Sequence, residues 1–262
     1  MKTIGLIGGM SWESTLEYYR TINQVVREKL EGLHCARIVM NSLDFAQIAA
    51  LQGEGNWEEL TKLMIGAGRR LEGAGADFLV ICCNTMHKVA AYVQKDVHVP
   101  LLHIADATAQ EIKTKGLERV GLLGTKATME EDFYVARLVD IHGLEVTTPN
   151  ERERELVDNV IYDELCRGNV NLSSREKFVG IMRNLAANGA EGIILACTEI
   201  HLLIDEQDTN TPVFDTTEIH ARSAAHFALE LEDPLYSPSG SIPFRVVNSR
   251  EQNHNLLYPS GQ

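Results

Sequence analysis

Two cysteines occupy matching positions in two similar stretches of the chain. Residues 64–87 (MIGAGRRLEGAGADFLVICCNTMH) align without a gap with residues 178–201 (FVGIMRNLAANGAEGIILACTEIH), and 7 of the 24 positions are identical. The repeat pairs two thiols and two imidazoles: Cys83 with Cys197, and His87 with His201. Glycine ends many helices, so it explains the matched glycines but not the matched cysteines and histidines. The two thiols are therefore either core residues or a pair of reactive groups.

Two opposed thiols suit one reaction in particular, the inversion of a tetrahedral carbon. Both cysteines follow predicted parallel strands, and α/β proteins bind ligands beyond the carboxyl ends of such strands. The residues that follow, Asn84 and Thr85 in one half and Thr198 and Glu199 in the other, are predicted to begin helices. Free backbone N–H groups at a helix start bind carboxylates and lower the pKa of a nearby thiol. A thiolate on one face of the carbon would remove a proton, and a thiol on the other face would return one.

The neighbours of the two thiols have more than one interpretation. Glu199 is either a third acid or base, or a carboxylate that complements a helix N-terminus. His87 and His201 either tune the thiols or cap and pack their own helices. Strand alternation points Cys82 away from Cys83, so Cys82 is expected in the hydrophobic core.

Short aliphatic runs alternate with longer amphipathic segments along the chain. The runs predict strands at residues 2–8, 36–42, 77–83, 119–124, 144–149, 192–197 and 212–215. The amphipathic segments predict helices at residues 14–30, 56–74, 104–115, 129–142, 151–167, 173–188 and 216–231. This alternation is typical of βαβ units, which build a parallel sheet with helices on both faces. The predicted fold class is α/β.

The repeat predicts two similar parallel-sheet α/β lobes related by a pseudo-two-fold axis, with the active site in the cleft between them. TIGLIGG (3–9) also resembles RVGLLGT (119–125), at nearly the same offset as the cysteine repeat. His103 and Asp106 are expected to brace the crossing between the lobes.

The domain boundaries follow from the same repeat. The first lobe is expected to hold residues 1–98 together with a returning segment at 212–231. The second lobe is expected to hold residues 99–211. Residues 232–262 are rich in Pro, Ser, Gly and Asn and have no helical periodicity, so a loosely ordered tail is expected there.

Composition and charge exclude several classes of protein. The chain has 262 residues and a formal net charge of −13 at pH 7, which argues against nucleic acid or an anionic membrane as a partner. No apolar run approaches the roughly 20 residues that cross a bilayer. The start, MKTIGLIGGM, predicts a first strand and turn rather than a signal peptide. These features favour the cytoplasm, where thiols stay reduced.

Known cofactor and metal motifs are missing from the sequence. The five cysteines have neither a disulfide framework nor zinc-site spacing. The glycines of GLIGGM (5–10) do not match the dinucleotide fingerprint, and no phosphate-binding loop or paired-histidine zinc motif occurs. Close backbone approach to a small carboxylate explains these glycines better. No metal is therefore expected, and the expected partner is a small molecule.

Five segments resemble the aspartate/glutamate racemase family: GLIGGMSWEST (5–15), CCNTMH (82–87), PLLHIADAT (100–108), LLGTKATM (122–129) and ACTEI (196–200). The resemblance covers about residues 1–231. It implies a cofactor-independent amino-acid racemase, an isomerase that works without pyridoxal phosphate, with two lobes and a homodimeric assembly. On the family pattern Cys83 and Cys197 are the catalytic bases. The same pattern implies substrate contacts at Met10, Gln52, Asn84, Thr85, Glu164 and Thr198.

Two positions depart from the pattern of aspartate-specific relatives. Those relatives hold the distal carboxylate with an arginine near position 52 and a lysine near 164, where this chain has Gln52 and Glu164. The departure predicts a broad-specificity racemase of polar or neutral amino acids, such as homoserine or methionine. The alternatives are a racemase proper for aspartate or glutamate, a related cysteine-dependent diacid isomerase or decarboxylase, and a non-catalytic amino-acid sensor.

Overall fold

Two four-stranded parallel sheets form the framework in a computed structural model that describes residues 1–230. The first sheet has the order β2-β1-β3-β4 and the second has the order β6-β5-β7-β8. The α/β class is therefore confirmed, and the two sheets repeat the same strand order. The predicted tail at 232–262 lies outside the described residues. The strands are β1 (Ile4–Gly8), β2 (Ile38–Ser42), β3 (Phe78–Ile81), β4 (Leu101–Leu102), β5 (Arg119–Gly124), β6 (Glu145–Thr147), β7 (Gly192–Ala196) and β8 (Val213–Asp215).

Helices follow most of the strands and cover the sheets. They are α1 (Trp12–Leu30), α2 (Phe45–Gly53), α3 (Trp57–Gly73), α4 (Ala90–Asp96), α5 (Ile104–Thr114), α6 (Lys126–Glu130), α7 (Asp132–Ala136), α8 (Glu151–Asp163), α9 (Leu172–Ala187) and α10 (Thr216–Leu229). Short 3-10 turns occur at Thr85–Val89, Leu165–Arg167, Ile200–Leu202 and Glu206–Asp208, and a π-helical turn occurs at Arg137–Ile141. No helix within residues 1–230 combines the length and the apolar character that crossing a membrane requires.

The two central strands explain part of the sequence repeat. β1 and β5 lie at equivalent positions in their sheets. Each contains a glycine, Gly5 or Gly121, whose neighbouring side chains leave no space for a Cβ atom. A Cβ added to Gly5 would lie 2.8 Å from the Cβ of Ala76, and one added to Gly121 would lie 2.8 Å from Cδ1 of Ile193. Neither sheet has room there for a side chain, because its close neighbours already fill that space.

Two strands lie on the other side of the boundaries that the sequence suggested. β4 pairs with β3, with Leu79 opposite Leu101, so the first sheet extends beyond residue 98. β8 pairs with β7, with Ile194 opposite Phe214, so the returning segment adds a strand to the second sheet. The other part of that segment, α10, packs against α1 of the first lobe. In each lobe the chain therefore adds the fourth strand, β4 or β8, to the sheet before it crosses to the other lobe.

The crossing helices hold the two lobes together. α10 packs against both α1 and α5, and its small buried side chains allow close approach to the first sheet. Those side chains are Ala221, Ala224, Ala225 and Ala228. A parallel arrangement of this kind brings the carboxyl ends of β1, β3, β5 and β7 to the boundary between the lobes.

Candidate active site

Cys83 and Cys197 line the same cleft, at the ends of equivalent strands. Cys83 follows β3 by one residue beyond Cys82, and Cys197 directly follows β7. Both lobes contribute to its walls: Met10, Gln52, Cys83, Asn84 and Thr85 from the first, and Thr125, Tyr162, Cys166, Cys197, Thr198 and Glu199 from the second.

Cys83 lies at the start of the 3-10 turn Thr85–Val89. The backbone N–H groups of Met86 and Thr85 hydrogen-bond its sulfur, which stabilises the thiolate. Burial acts in the opposite direction and dominates, so that it raises the pKa of the Cys83 thiol to about 12, with a further contribution from the negative charge of Glu199. Burial thus favours the thiol form of Cys83, although two backbone donors hydrogen-bond its sulfur.

Cys197 has a carboxylate as its partner. Its Sγ donates to Oε2 of Glu199 at 3.1 Å, and the same oxygen accepts from Oγ1 of Thr198 at 2.9 Å. Oε1 of Glu199 accepts from Oγ of Ser11 at 2.9 Å, so the carboxylate is held from both lobes. Burial, followed by the charge of Glu199, raises the pKa of the Cys197 thiol well above its ordinary value. Sequence reasoning weighed Glu199 without selecting it, and its signal was its position two residues after the cysteine.

A cluster of buried hydroxyl groups joins the lobes beside Cys83. Oγ1 of Thr85 lies 2.9 Å from Oγ1 of Thr125, which lies 3.0 Å from Oγ1 of Thr128. Thr85 and Thr125 begin helical turns after β3 and β5, so backbone N–H groups lie close to the hydroxyls. Hydroxyls and backbone amides in this arrangement suit a carboxylate.

Five of the six predicted substrate contacts line the cleft, and the sixth does not. Met10, Gln52, Asn84, Thr85 and Thr198 belong to its wall. Nε2 of Gln52 also donates to the sulfur of Met86 at 3.4 Å.

Glu164 does not reach the cleft. Its Oε1 accepts from Oγ of Ser174 at 3.0 Å, at the start of α9. The residue follows the last turn of α8, where the chain changes to a 3-10 turn and directs the carboxylate toward α9. Tyr162 and Cys166 from the same segment line the cleft instead.

The wall of the cleft is mainly neutral. Among the described residues that form it, Glu199 is the one charged side chain, and neither lysine nor arginine is present. Phe45, Ile48 and Ile161 supply apolar surface. Within residues 1–230, no group of three His, Cys, Asp or Glu side chains has the arrangement of a metal site.

The two matched histidines differ in their surroundings. Nδ1 of His87 donates to the carbonyl oxygen of Cys83 at 2.7 Å, and its Nε2 accepts from the N–H of Ile104 at 3.2 Å. Burial lowers the pKa of His87 to about 4, so the ring is neutral and ties Cys83 to the start of α5. His201 lines a different cavity, beside β8 and α10.

The remaining polar residues singled out in the sequence have structural contacts. Cys82 is buried in the core between the first sheet and α10, as predicted. Nδ1 of His103 caps α5 by accepting from the N–H of Ala105 at 3.2 Å. Asp106 accepts two hydrogen bonds of 2.6 Å from Arg137, so this side chain braces the second lobe at the crossing helix.

Comparisons with known proteins agree with this geometry. The sequence model of a family described as Asp/Glu/hydantoin racemase matches residues 7–224. The chain is 26% identical over 230 residues to the broad-specificity amino-acid racemase RacX of Bacillus subtilis, an alignment that covers 84% of this chain and 95% of RacX. A solved structure of a putative Asp/Glu racemase from Yersinia pestis is 52% identical, with a TM-score of 0.82 over 87% of this chain and 100% of that one. An aspartate racemase homologue from Pyrococcus horikoshii is 40% identical, with a TM-score of 0.76 over the same shares.

Proposed function

Because the chain belongs to the Asp/Glu/hydantoin racemase family, we propose that it is an amino-acid racemase that inverts the α-carbon by proton transfer between Cys83 and Cys197. The observation that carries the proposal is that two thiols, from equivalent strand ends, line one small cleft. The N–H groups and hydroxyls around Thr85 and Thr125 would bind the substrate's α-carboxylate.

The proposed reaction needs no group besides the two sulfurs and the substrate. A thiolate takes the α-proton, and the electron pair of the C–H bond becomes a carbanion that the bound carboxylate delocalises. The thiol on the opposite face then gives its proton to the carbon, and its own S–H electron pair stays on sulfur. The carbon is inverted, and the two sulfurs have exchanged protonation states, so the reverse reaction begins from the product.

The unequal surroundings of the sulfurs favour Cys83 as the thiolate when substrate enters. Cys83 receives the backbone N–H groups of Met86 and Thr85, whereas the Cys197 proton is held by Glu199. The α-ammonium group of an amino acid brings a positive charge into the cleft, and a nearby positive charge lowers the pKa of a thiol. The hydrogen bond to Glu199 keeps the Cys197 sulfur in its thiol form, ready to give its proton to the carbon.

The charge of the cleft supports a broad-specificity racemase of neutral or polar amino acids, such as homoserine or methionine. A second carboxylate on the substrate would have no cation among the described residues of the wall and would be repelled by Glu199. The apolar side chains of Phe45, Ile48 and Ile161 suit a neutral substituent. A strict aspartate or glutamate racemase is therefore the less favoured alternative.

The experiment that tests the proposal is a panel of amino acids incubated in deuterated solvent without added cofactor and analysed by chiral chromatography and mass spectrometry. A racemase inverts neutral substrates and introduces deuterium at the α-carbon. A sensor binds without exchange, and a diacid isomerase or decarboxylase releases a different product. Absence of inversion and exchange for every amino acid would reject the proposal.

Substitution of each sulfur tests the two-base assignment. Cys83→Ser and Cys197→Ser should each lower racemisation by about 10²–10⁴-fold, because a hydroxyl is a far weaker acid than a thiol. Cys35→Ser is the matched control, since Cys35 is exposed and does not line the cleft. Near-normal activity in either cleft variant would contradict the assignment.

The expected cytoplasmic location and homodimeric assembly remain predictions. An exposed apolar stripe of Trp12, Leu16 and Tyr19 along α1 is compatible with a contact between subunits.

A further inference from the structure

We infer that Thr216 is a positioning residue that turns the amide oxygen of Asn84 toward the α-ammonium group of the substrate. Asn84 lines the cleft next to Cys83, whereas Thr216 lies behind it at the first position of α10. The inference rests on the proposed function, because it requires an amino acid in the cleft.

The hydrogen bonds behind Asn84 fix the direction of its amide group. Oγ1 of Thr216 donates to the carbonyl oxygen of Leu195 at 2.8 Å, and a hydroxyl has only one proton to give. Thr216 can therefore only accept from Asn84, and Nδ2 of Asn84 donates to it at 3.0 Å. The opposite orientation of the amide would face two acceptors toward each other. The side-chain nitrogen of Asn84 thus points to Thr216, and the oxygen points away from it.

The oxygen so oriented has no partner among the described residues. Asn84 is 2% exposed, and its Oδ1 is buried without a hydrogen bond. A buried acceptor in this condition is rare in a folded protein unless a ligand or water completes it. Asn84 lines a cleft whose other polar groups near Cys83 are the hydroxyls and amides suited to a carboxylate. An ammonium group, which has only donors, is the group that every amino acid can offer to Oδ1.

The hydroxyl of Thr216 also links the two segments that carry the sulfurs. Asn84 directly follows Cys83, and Leu195 lies two residues before Cys197 at the end of β7. α5 is the helix of the first lobe that corresponds to α10. It begins with Ile104, which has no side-chain hydroxyl, where α10 begins with Thr216, so the two hydrogen bonds of Thr216 have no counterpart there. The cleft therefore has this oriented amide on one side only, which matches a substrate that carries one amino group.

The test compares two competitive ligands that differ only in the amino group, an amino acid that the enzyme turns over and the corresponding carboxylic acid without nitrogen. Thr216→Val keeps the shape of the side chain and removes the hydroxyl. We expect the amino acid to bind roughly 10-fold more weakly or worse, with binding of the nitrogen-free acid unchanged. The value of kcat/KM should fall by a similar factor, and Thr216→Ser should restore both.

Thr217→Val is the matched control, because Thr217 is equally buried and its Oγ1 has no hydrogen bond within residues 1–230. A double-mutant cycle adds a second measurement. In an Asn84→Asp background both side-chain oxygens accept, so orientation no longer matters and Thr216→Val should have no further effect on binding of the amino acid.

Two results would overturn the inference. One is a loss of affinity in Thr216→Val that is equal for the two ligands, and the other is no loss for either. If Thr216→Val does not fold, Thr216→Ala carries the same comparison, with thermal melting as the check on folding. Failure of the proposed function is distinguishable, since the wild-type protein would then racemise no amino acid.

Discussion

Replacing Glu199 with glutamine tests the arrangement around Cys197 most directly. The sulfur of Cys197 lies 3.1 Å from Oε2 of Glu199. Two unit negative charges at that separation repel by at most about 5 kcal/mol when the effective dielectric constant is about 20. The negative charge of Glu199 therefore disfavours the thiolate of Cys197, and the carboxylate holds the thiol proton in a hydrogen bond.

Glu199→Gln removes the carboxylate that accepts the hydrogen bond of the Cys197 thiol, with little change of shape. Loss of a hydrogen bond to a charged group is worth roughly 1.5–3 kcal/mol, which corresponds to a fall in kcat/KM of about 10- to 150-fold. The fall must be equal for both enantiomers, because the equilibrium constant of a racemisation is one. The negative charge of Glu199 raises the pKa of both Cys83 and Cys197. Without it both pKa values fall, so the rise of activity with pH should occur at lower pH.

The assay is racemisation followed by circular dichroism across a range of pH, in both directions. Glu164→Gln is the matched control, since Glu164 is a half-buried carboxylate outside the cleft, hydrogen-bonded to Ser174. The control should keep the wild-type rate and pH profile. A Glu199→Gln variant that keeps the wild-type rate and an unshifted profile would refute this account of the site.

Two further predictions concern specificity and stability. Gln52→Arg should raise the ratio of kcat/KM for aspartate to kcat/KM for methionine by roughly 10- to 150-fold. The reason is that it adds a cation to a cleft wall that has none among its described residues. An unchanged ratio in competition assays would show that Gln52 does not determine substrate specificity. His87 and His220 are buried, and burial lowers their pKa values to about 4 and about 3. The unfolded chain binds these protons below about pH 6.5, so stability is fully present above that pH and is lost as the pH falls toward 4. The loss of the His87 contribution should lower the free energy of unfolding, measured with urea, by up to about 3 kcal/mol. His87→Gln should therefore weaken the dependence of the unfolding free energy on pH.

The sequence predicted those features that depend on local periodicity. The alternation of aliphatic and amphipathic runs located seven of the strands in the described residues, and the repeat indicated two similar lobes, whose sheets share one strand order. β4 has two residues and α2 has nine, so neither gave a long enough pattern to detect. The matched positions of the two cysteines at the ends of parallel strands predicted that both thiols would line one cleft, since parallel strands end at the same edge of a sheet. Both cysteines do line that cleft.

Other features could not be read from the sequence, because they depend on how the lobes dock. Ser11 and Glu199 are separated by 188 residues and Asn84 and Thr216 by 132, yet each pair is hydrogen-bonded across the lobes. No local pattern encodes such a contact. Glu164 is a different case, since one turn of the backbone after α8 places its side chain against Ser174 and outside the cleft.

The proposed reaction explains why the repeat is faithful at the cysteines and not beside them. During racemisation the proton leaves from one face of the carbon and arrives at the other, so the two faces need equivalent groups, and Cys83 and Cys197 meet that need. The carboxylate, the amino group and the side chain of the substrate must each stay in place, and these three are unlike. The residues next to the sulfurs have diverged accordingly, from Asn84 to Thr198 and from Thr85 to Glu199. A pseudo-symmetric pair of lobes thus supplies identical proton carriers within an asymmetric binding site.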